Sequence, residues 1–399
     1  MSVRKIFILI IIIITGLFLL TGLGFSQEKI QQKIDEFNGF SGIMVKDLLT
    51  DEVLFSHNPD NLFTPASLIK IFTLLAGLEK LGQEYQFPTV FYFSSSKPGY
   101  INSDIYIKGF GDPTRSPEDI RAIACDLIDQ YSIKKITGDI VLDDSAFSPG
   151  EFLGRGWMWD DENPLIGSFI IKGENAVEPR ISYYKQMSNG WGEIFCQELY
   201  RQGVKIDGEL RIGKVDENLS VKAMFYSEPL DEILTHMMIM SDNQSAEAVF
   251  RSLALVDDLV DISTINNSIT AMSDTIFDKL LLQWGEDYVI VDGCGLSEYN
   301  LVTPTQVVSA ISYLFDQYGT EILQYFANIN ERGTIRERFP FQVWAKTGSL
   351  PSSSGLAGFM QTKNNRDIVF CLIANNFSGE QNNPKEFENN IIEYIYENY

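Results

Sequence analysis

Apolar positions along the chain fall into three patterns. From Ile6 to Leu23 they run together behind Arg4 and Lys5, until Gly24, Phe25 and Ser26 restore polarity. This is the shape of an export leader, so residues 1–26 are expected to act as a signal peptide cleaved near Ser26 or to stay as a membrane anchor, since about 18 apolar residues suffice for a span. Residues 40–56, "FSGIMVKDLLTDEVLFS", alternate and then turn, which is the period of a β-hairpin. In residues 64–82, "TPASLIKIFTLLAGLEKLG", apolar side chains occupy most of a helical circumference instead of one stripe. That predicts a helix buried on nearly all sides, with Thr64 as N-cap and Pro65 at the first helical position.

Beyond residue 93 the texture changes. "IYIKGFGDPT", the helical "PEDIRAIACDLIDQY", the strand "ITGDIVLDD" and the aromatic-rich "GRGWMWDDENP" follow one another up to about residue 225. "PLDEILTHMMIMSDNQSAEAVFRSLAL" then reads as mostly helical, and the last stretch gives three strands joined by polar turns and a closing helix over 385–398. A hairpin at the start and a meander at the end predict one antiparallel sheet built from both chain ends. The fold class expected is α/β of the α+β type, an antiparallel sheet flanked by helices with an inserted smaller domain. Its boundaries are 27–92 and 226–399 for the main domain and 93–225 for the insert. A length of 399 residues, 45% of them hydrophobic, supports two domains better than one.

A net charge of −23 disfavours nucleic acid and anionic lipid surfaces as partners. Cys125, Cys196, Cys294 and Cys371 are scattered and mostly lie in apolar segments, so most are expected to be buried free thiols. With His57 and His236 the only histidines and no Cys-x-x-Cys, a zinc site or a Ser-His-Asp triad would need more histidine than this, or one well placed by chance. No metal or organic cofactor is expected. If a serine performs hydrolysis here, a lysine is the better candidate for its base.

Ser67 and Lys70 supply such a pair at the head of the buried helix. Positions i and i+3 face the same way, so the amine lies one turn from the hydroxyl. Burial favours the neutral amine, which could take the serine proton. A lysine snorkelling at a helix end is the bland alternative. The pattern S-x-x-K alone decides nothing, because it recurs at Ser2, Ser26, Ser94, Ser132 and Ser182. Two further motifs do: Ser241-Asp242-Asn243 and Lys346-Thr347-Gly348, each present once. Both arising in this order by accident is an event on the order of 1%. S-x-x-K, S-D-N and K-T-G together mark class A β-lactamases and penicillin-binding proteins.

The chain resembles the low-molecular-mass class C penicillin-binding proteins, the D-Ala-D-Ala carboxypeptidase/endopeptidase family of S13 serine peptidases. "GFGDPT" at 109–114, "ITGDIVLDDSAF" at 136–147, "GWMWDD" at 156–161, "DGCGLSEYN" at 292–300 and "AKTGSL" at 345–350 carry the resemblance outside the triplets. Cys294 and Glu298 depart from it, standing where serine and arginine are more usual. The resemblance implies a penicillin-recognising, β-lactamase/transpeptidase-like fold and the following roles. Ser67 attacks, Lys70 takes its proton, Ser241 relays it to the leaving D-alanine and Asn243 holds a substrate amide. Lys346 and Thr347 attract the terminal carboxylate, and the N–H groups of Ser67 and Ser349, beside Gly348, form the oxyanion hole. Peptidoglycan stem peptides are the implied substrate and β-lactams the implied covalent inhibitors, with action outside the cytoplasmic membrane. In the insert, Asp143 and Asp144 are expected to meet the side-chain amine of a stem diamino acid. A β-lactamase or esterase of the same fold, or a non-hydrolytic cell-wall sensor, are the alternatives; no E-x-x-L-N follows Asn243.

Overall fold

A computed structural model describes residues 29–399 apart from 149, 152, 159–162, 174, 177–181, 217, 257–261, 332 and 379–382. The leader expected over 1–26 and the Trp159–Asp161 part of "GWMWDD" lie outside the described residues. Among the described residues, no helix is long and apolar enough to cross a membrane.

The two chain ends do build one sheet. Its six strands run in the order Ala327–Asn328, Val343–Leu350, Ser353–Gln361, Asp367–Asn375, Phe40–Asp47 and Val53–His57, all antiparallel. Phe40 pairs with Asn375 across the seam between the ends. The central strands are apolar on both faces, because both are covered. On one side Ile30 and Ile34 near the start of the described chain and Phe387, Ile391 and Ile395 of the closing Pro384–Asn398 helix pack against Val45, Phe370 and Leu372. On the other lies the larger core, where the buried segment beginning at Ala66 meets the helices Leu230–Met240, Asn243–Ser252, Ile265–Leu280 and Pro304–Tyr318. Local chemistry sets the helix starts. Thr303 and Gln306 exchange side-chain and backbone hydrogen bonds in a capping box, with Pro304 at the first position, and Ser116 and Asp119 do the same for Pro117–Tyr131.

The inserted unit has its own core around Phe91, Ile107, Ile120, Trp191 and Phe195. Its main sheet runs Leu210–Ile212, Ile140–Asp143, Ile105–Gly109, Pro88–Tyr92, Val221–Tyr226. The first three strands are mutually parallel, and the helices Pro117–Tyr131 and Ser182–Arg201 make the crossovers that parallel pairing demands. Pro88–Tyr92 therefore belongs to the insert's sheet, upstream of the boundary expected at 93. The strand read through "ITGDIVLDD" is two, Lys135–Ile136 and Ile140–Asp143, in different sheets. Gly138 makes the break: a Cβ there would come within 2.4 Å of the Asp104 backbone nitrogen.

Candidate active site

Ser67 stands on a short 3-10 turn, Ala66–Ile69, that continues into the α-helix Lys70–Ala76 and a π-turn over Gly77–Leu81. Thr64 does not cap this element; Pro65 occupies the cap position, while Thr64 is tied by its N–H and C=O to the Asn375 side chain. The residue before the serine, Ala66, is held at φ +50°. An alanine in the left-handed region costs on the order of 1 kcal/mol and persists only where its surroundings over-determine it. Here they do, since Gly295 and Gly348 press on the turn from two sides. A Cβ on Gly295 would lie 2.0 Å from the Ala66 carbonyl oxygen, and one on Gly348 2.6 Å from that of Pro65.

Lys70 is fully buried, and its Nζ has three neighbours. Ser67 Oγ lies at 3.0 Å, Asn243 Oδ1 at 2.7 Å and the Cys294 carbonyl oxygen at 2.6 Å. The last two can only accept. A neutral amine has two N–H donors and one lone pair, so it satisfies both acceptors and turns its lone pair to the Ser67 hydroxyl. Burial pushes in the same direction, holding the amine below the usual lysine range.

A second buried amine faces a second serine. Lys346 Nζ donates to Ser241 Oγ at 2.8 Å and to the Thr347 carbonyl at 2.7 Å, and burial holds it well below the usual range. Ser241 ends the Leu230–Met240 helix at φ +60°, and Asp242 caps the next helix by accepting from the Gln244 and Ser245 amides. The sharp joint between the two helices is thus what turns Ser241 and Asn243 toward the lysines. Lys346 lies on Val343–Leu350, whose outer edge is paired only at Trp344 and Ala345. Among the described residues that edge carries no strand partner from Lys346 through Thr347, Gly348 and Ser349, which leaves it open to strand addition.

The structure also brings in residues that motif reading missed. Glu247 Oε1 accepts from the Gly293 and Cys294 amides at 2.6 and 2.9 Å. Asp292 accepts from the amides of Gly295 and Ser297, from Asn300 Nδ2 and from the Trp157 indole at 2.8 Å. "DGCGLSEYN" and "GWMWDD" were visible as segments, but a role played through a backbone carbonyl leaves no side-chain signature. The ligand atoms of Glu247, Asp292 and Cys294 come within 4.8 Å of one another, yet protein donors already occupy the carboxylates. The four cysteines are free, with Cys294 and Cys371 buried and Cys125 and Cys196 partly exposed.

The structure places both carboxylates expected as a recognition pair in the insert among buried groups. Asp143 is wholly buried, with Oδ1 accepting from the Ser145 amide at 3.0 Å and Oδ2 from that of Val215 at 2.9 Å. Asp144 is also buried. Asp143 closes a strand end, a common use for a carboxylate beside free amides.

A two-sided sheet with a serine, two buried lysines and an Asn side chain converging beside its open strand edge defines a penicillin-recognising serine hydrolase. The chain belongs to the D-Ala-D-Ala carboxypeptidase 3 (S13) family, whose model matches residues 27–182 and 183–397. It is a serine-type D-Ala-D-Ala carboxypeptidase. D-alanyl-D-alanine carboxypeptidase DacB of Haemophilus influenzae is 24% identical, with 92% of each chain covered. The crystal structure of penicillin binding protein 4 from Haemophilus influenzae superposes with a TM-score of 0.80 at 22% identity, covering 92% of this chain and 99% of that one. A predatory peptidoglycan endopeptidase from Bdellovibrio bacteriovorus gives 0.61 at 18% identity, covering 89% and 92%.

Proposed function

We propose that Ser67 attacks the carbonyl of the penultimate D-alanine of peptidoglycan stem peptides, that Lys70 is its base, and that the protein works outside the cytoplasmic membrane. The single observation behind this reading is the set of partners at Lys70, which a neutral amine satisfies with its lone pair on the nucleophile. The Ser67 proton passes to Lys70 as the Oγ–C bond forms, and Ser241 relays that proton from Lys70 to the departing D-alanine nitrogen as the C–N bond breaks. Asn243 holds the substrate amide, and the Ser67 and Ser349 N–H groups receive the oxyanion, each worth about 3 kcal/mol in such a role. Lys346 and Thr347 take the terminal carboxylate. That anion restores charge to the Lys346 amine, and the new positive charge in turn keeps Lys70 neutral. Water then cleaves the ester. β-Lactams, one of which is bound by the Haemophilus influenzae structural relative, would trap the same serine. Asp143 and Asp144 have no part in substrate contact in this reading.

Fluorescent penicillin tests it directly. Ser67→Ala should abolish the covalent band, while Ser94→Ala should leave it intact, since Ser94 sits exposed in the insert beside a lysine stacked on Tyr100. Labelling that survives in Ser67→Ala overturns the assignment.

A further inference from the structure

The loop over residues 292–300 contributes no side chain to the chemistry above, yet it touches both reacting groups. Its Cys294 carbonyl receives Lys70 at 2.6 Å, the shortest of the three contacts of that amine. Its Gly295, at φ +85°, lies so close to the nucleophile turn that a Cβ would come within 2.9 Å of the Ser67 nitrogen. Two buried carboxylates hold the loop in this shape, Glu247 through two amides and Asp292 through two more. One donor on Asp292 comes from far along the chain. Trp157, within the 93–225 stretch expected as the insert but packed against the main core, delivers its indole N–H to Asp292 Oδ2 at 2.8 Å. Its neighbour Gly156 packs so closely against the loop that a Cβ there would come within 2.7 Å of the Ser297 hydroxyl and the Tyr299 ring.

We propose that Trp157 is a positioning residue: its indole N–H fixes Asp292, and through the 292–300 loop it keeps the Cys294 carbonyl where it aims Lys70 at Ser67. The stretch of chain around Trp157 is then part of the catalytic frame. This rests on the reading of Lys70 as base. A buried carboxylate that loses one of its donors turns to recover it, and the two amides it shares with the loop turn with it. Proton transfer tolerates little displacement of the acceptor, and about 1 Å of misplacement can cost 100-fold.

The charges around Lys70 give the change a signature. Asp292 and Cys294 face it from the loop, Asp242 and Glu247 from the cap and body of the Asn243–Ser252 helix, and Lys346 from its strand. The Asp292 charge and the Cys294 carbonyl both favour protonated Lys70. A loosened Asp292 and a retreating carbonyl therefore lower the lysine pKa further, while the amine loses its aim.

Trp157→Phe keeps the ring and removes the N–H. Acylation by fluorescent penicillin should fall about tenfold at its plateau, with the acid limb of the pH–rate profile moved to lower pH. Glu151→Ala is the comparison, since Glu151 also ties the insert to the main domain, through the Ile265 amide, without touching the loop. It should lower melting temperature with the plateau rate and the limb unchanged. If Trp157→Phe behaves like Glu151→Ala, losing stability alone, the indole only docks the insert and the proposal fails. Ser67→Ala run in parallel keeps the readings apart: loss of its label with unaltered Trp157→Phe kinetics sinks the positioning role and leaves the nucleophile standing.

Discussion

At Lys70 the decisive quantity is the number of hydrogens on one nitrogen. An ammonium has three donors and no lone pair, so it would hold the Ser67 oxygen as an acceptor and leave the hydroxyl proton nowhere to go. The neutral amine reverses that bond, and the absence of a carboxylate among the three neighbours is what allows it. Lys70→Arg separates the two states. Arginine keeps the charge and the reach but does not deprotonate, so acylation by penicillin should fall by at least about two orders of magnitude. An arginine variant that acylates near the normal rate would show that residue 70 serves as a fixed positive charge. Ser67, Lys70, Ser241, Asn243, Lys346 and Thr347 were legible as candidates because three short motifs occur in order. Asp292, Glu247 and the Cys294 carbonyl were not, because each acts on the backbone of a loop whose path is set by tertiary contacts. The surroundings of Asp143 were not legible for a related reason: a carboxylate at a strand end looks the same in sequence whether it faces solvent or two amides.

Among the elements, those with a strong period were readable and those shaped by close approach were not. The hairpin, the C-terminal meander and the Pro117–Tyr131 helix fall where alternation, helical spacing and caps put them. The buried segment after Pro65 was expected as one helix capped by Thr64, and it is instead a 3-10 turn, an α-helix and a π-turn in succession. What reshapes its start is packing by two glycines that propensity does not register. Gly295 is the sharper of the two, since it combines φ +85° with a missing Cβ that would overlap the Ala66 carbonyl. Gly295→Ala should therefore push the loop off the nucleophile turn, and the Cys294 carbonyl with it. The expected result is acylation slower by about 100-fold or more with a lower melting temperature, as strain at both residues adds to the displacement. Gly285, also at positive φ but with nothing within 4 Å of its built Cβ, provides the control: Gly285→Ala tests backbone strain without overlap and should leave acylation alone. Equal losses in both variants would mean that the close approach at Gly295 has no special bearing on the site.

For the whole molecule, burying several carboxyls inside a chain of net charge −23 makes stability depend on pH, and the direction can be worked out for one of them. Glu247 is wholly buried, and burial together with the nearby Asp292 charge pushes its pKa from the ordinary 4.5 up to about 8. The hydrogen bonds from Gly293 and Cys294 oppose the shift, as does the Arg251 charge, and Lys70 completes the surroundings. Between those two values the folded protein holds a proton that the unfolded chain has released. Stability from this group is thus fully present below about pH 4.5 and is lost as pH rises toward 8, by up to about 1.4 kcal/mol per unit. The protonated form also suits the geometry, with Oε1 free to accept from the Gly293 and Cys294 amides while the other oxygen carries the proton. Glu247→Gln imitates that neutral form at every pH. Self-repulsion from the remaining acidic groups, and the raised carboxyls of Asp112 and Glu388, act alike in both proteins and cancel in the comparison. The melting temperature of the variant should accordingly gain on that of the unsubstituted protein steadily from pH 5 to pH 8 and level off above it. A difference that stays constant across this range would mean that Glu247 is ionised throughout in the folded state, and the loop beside Lys70 would then be held by two charges and not one.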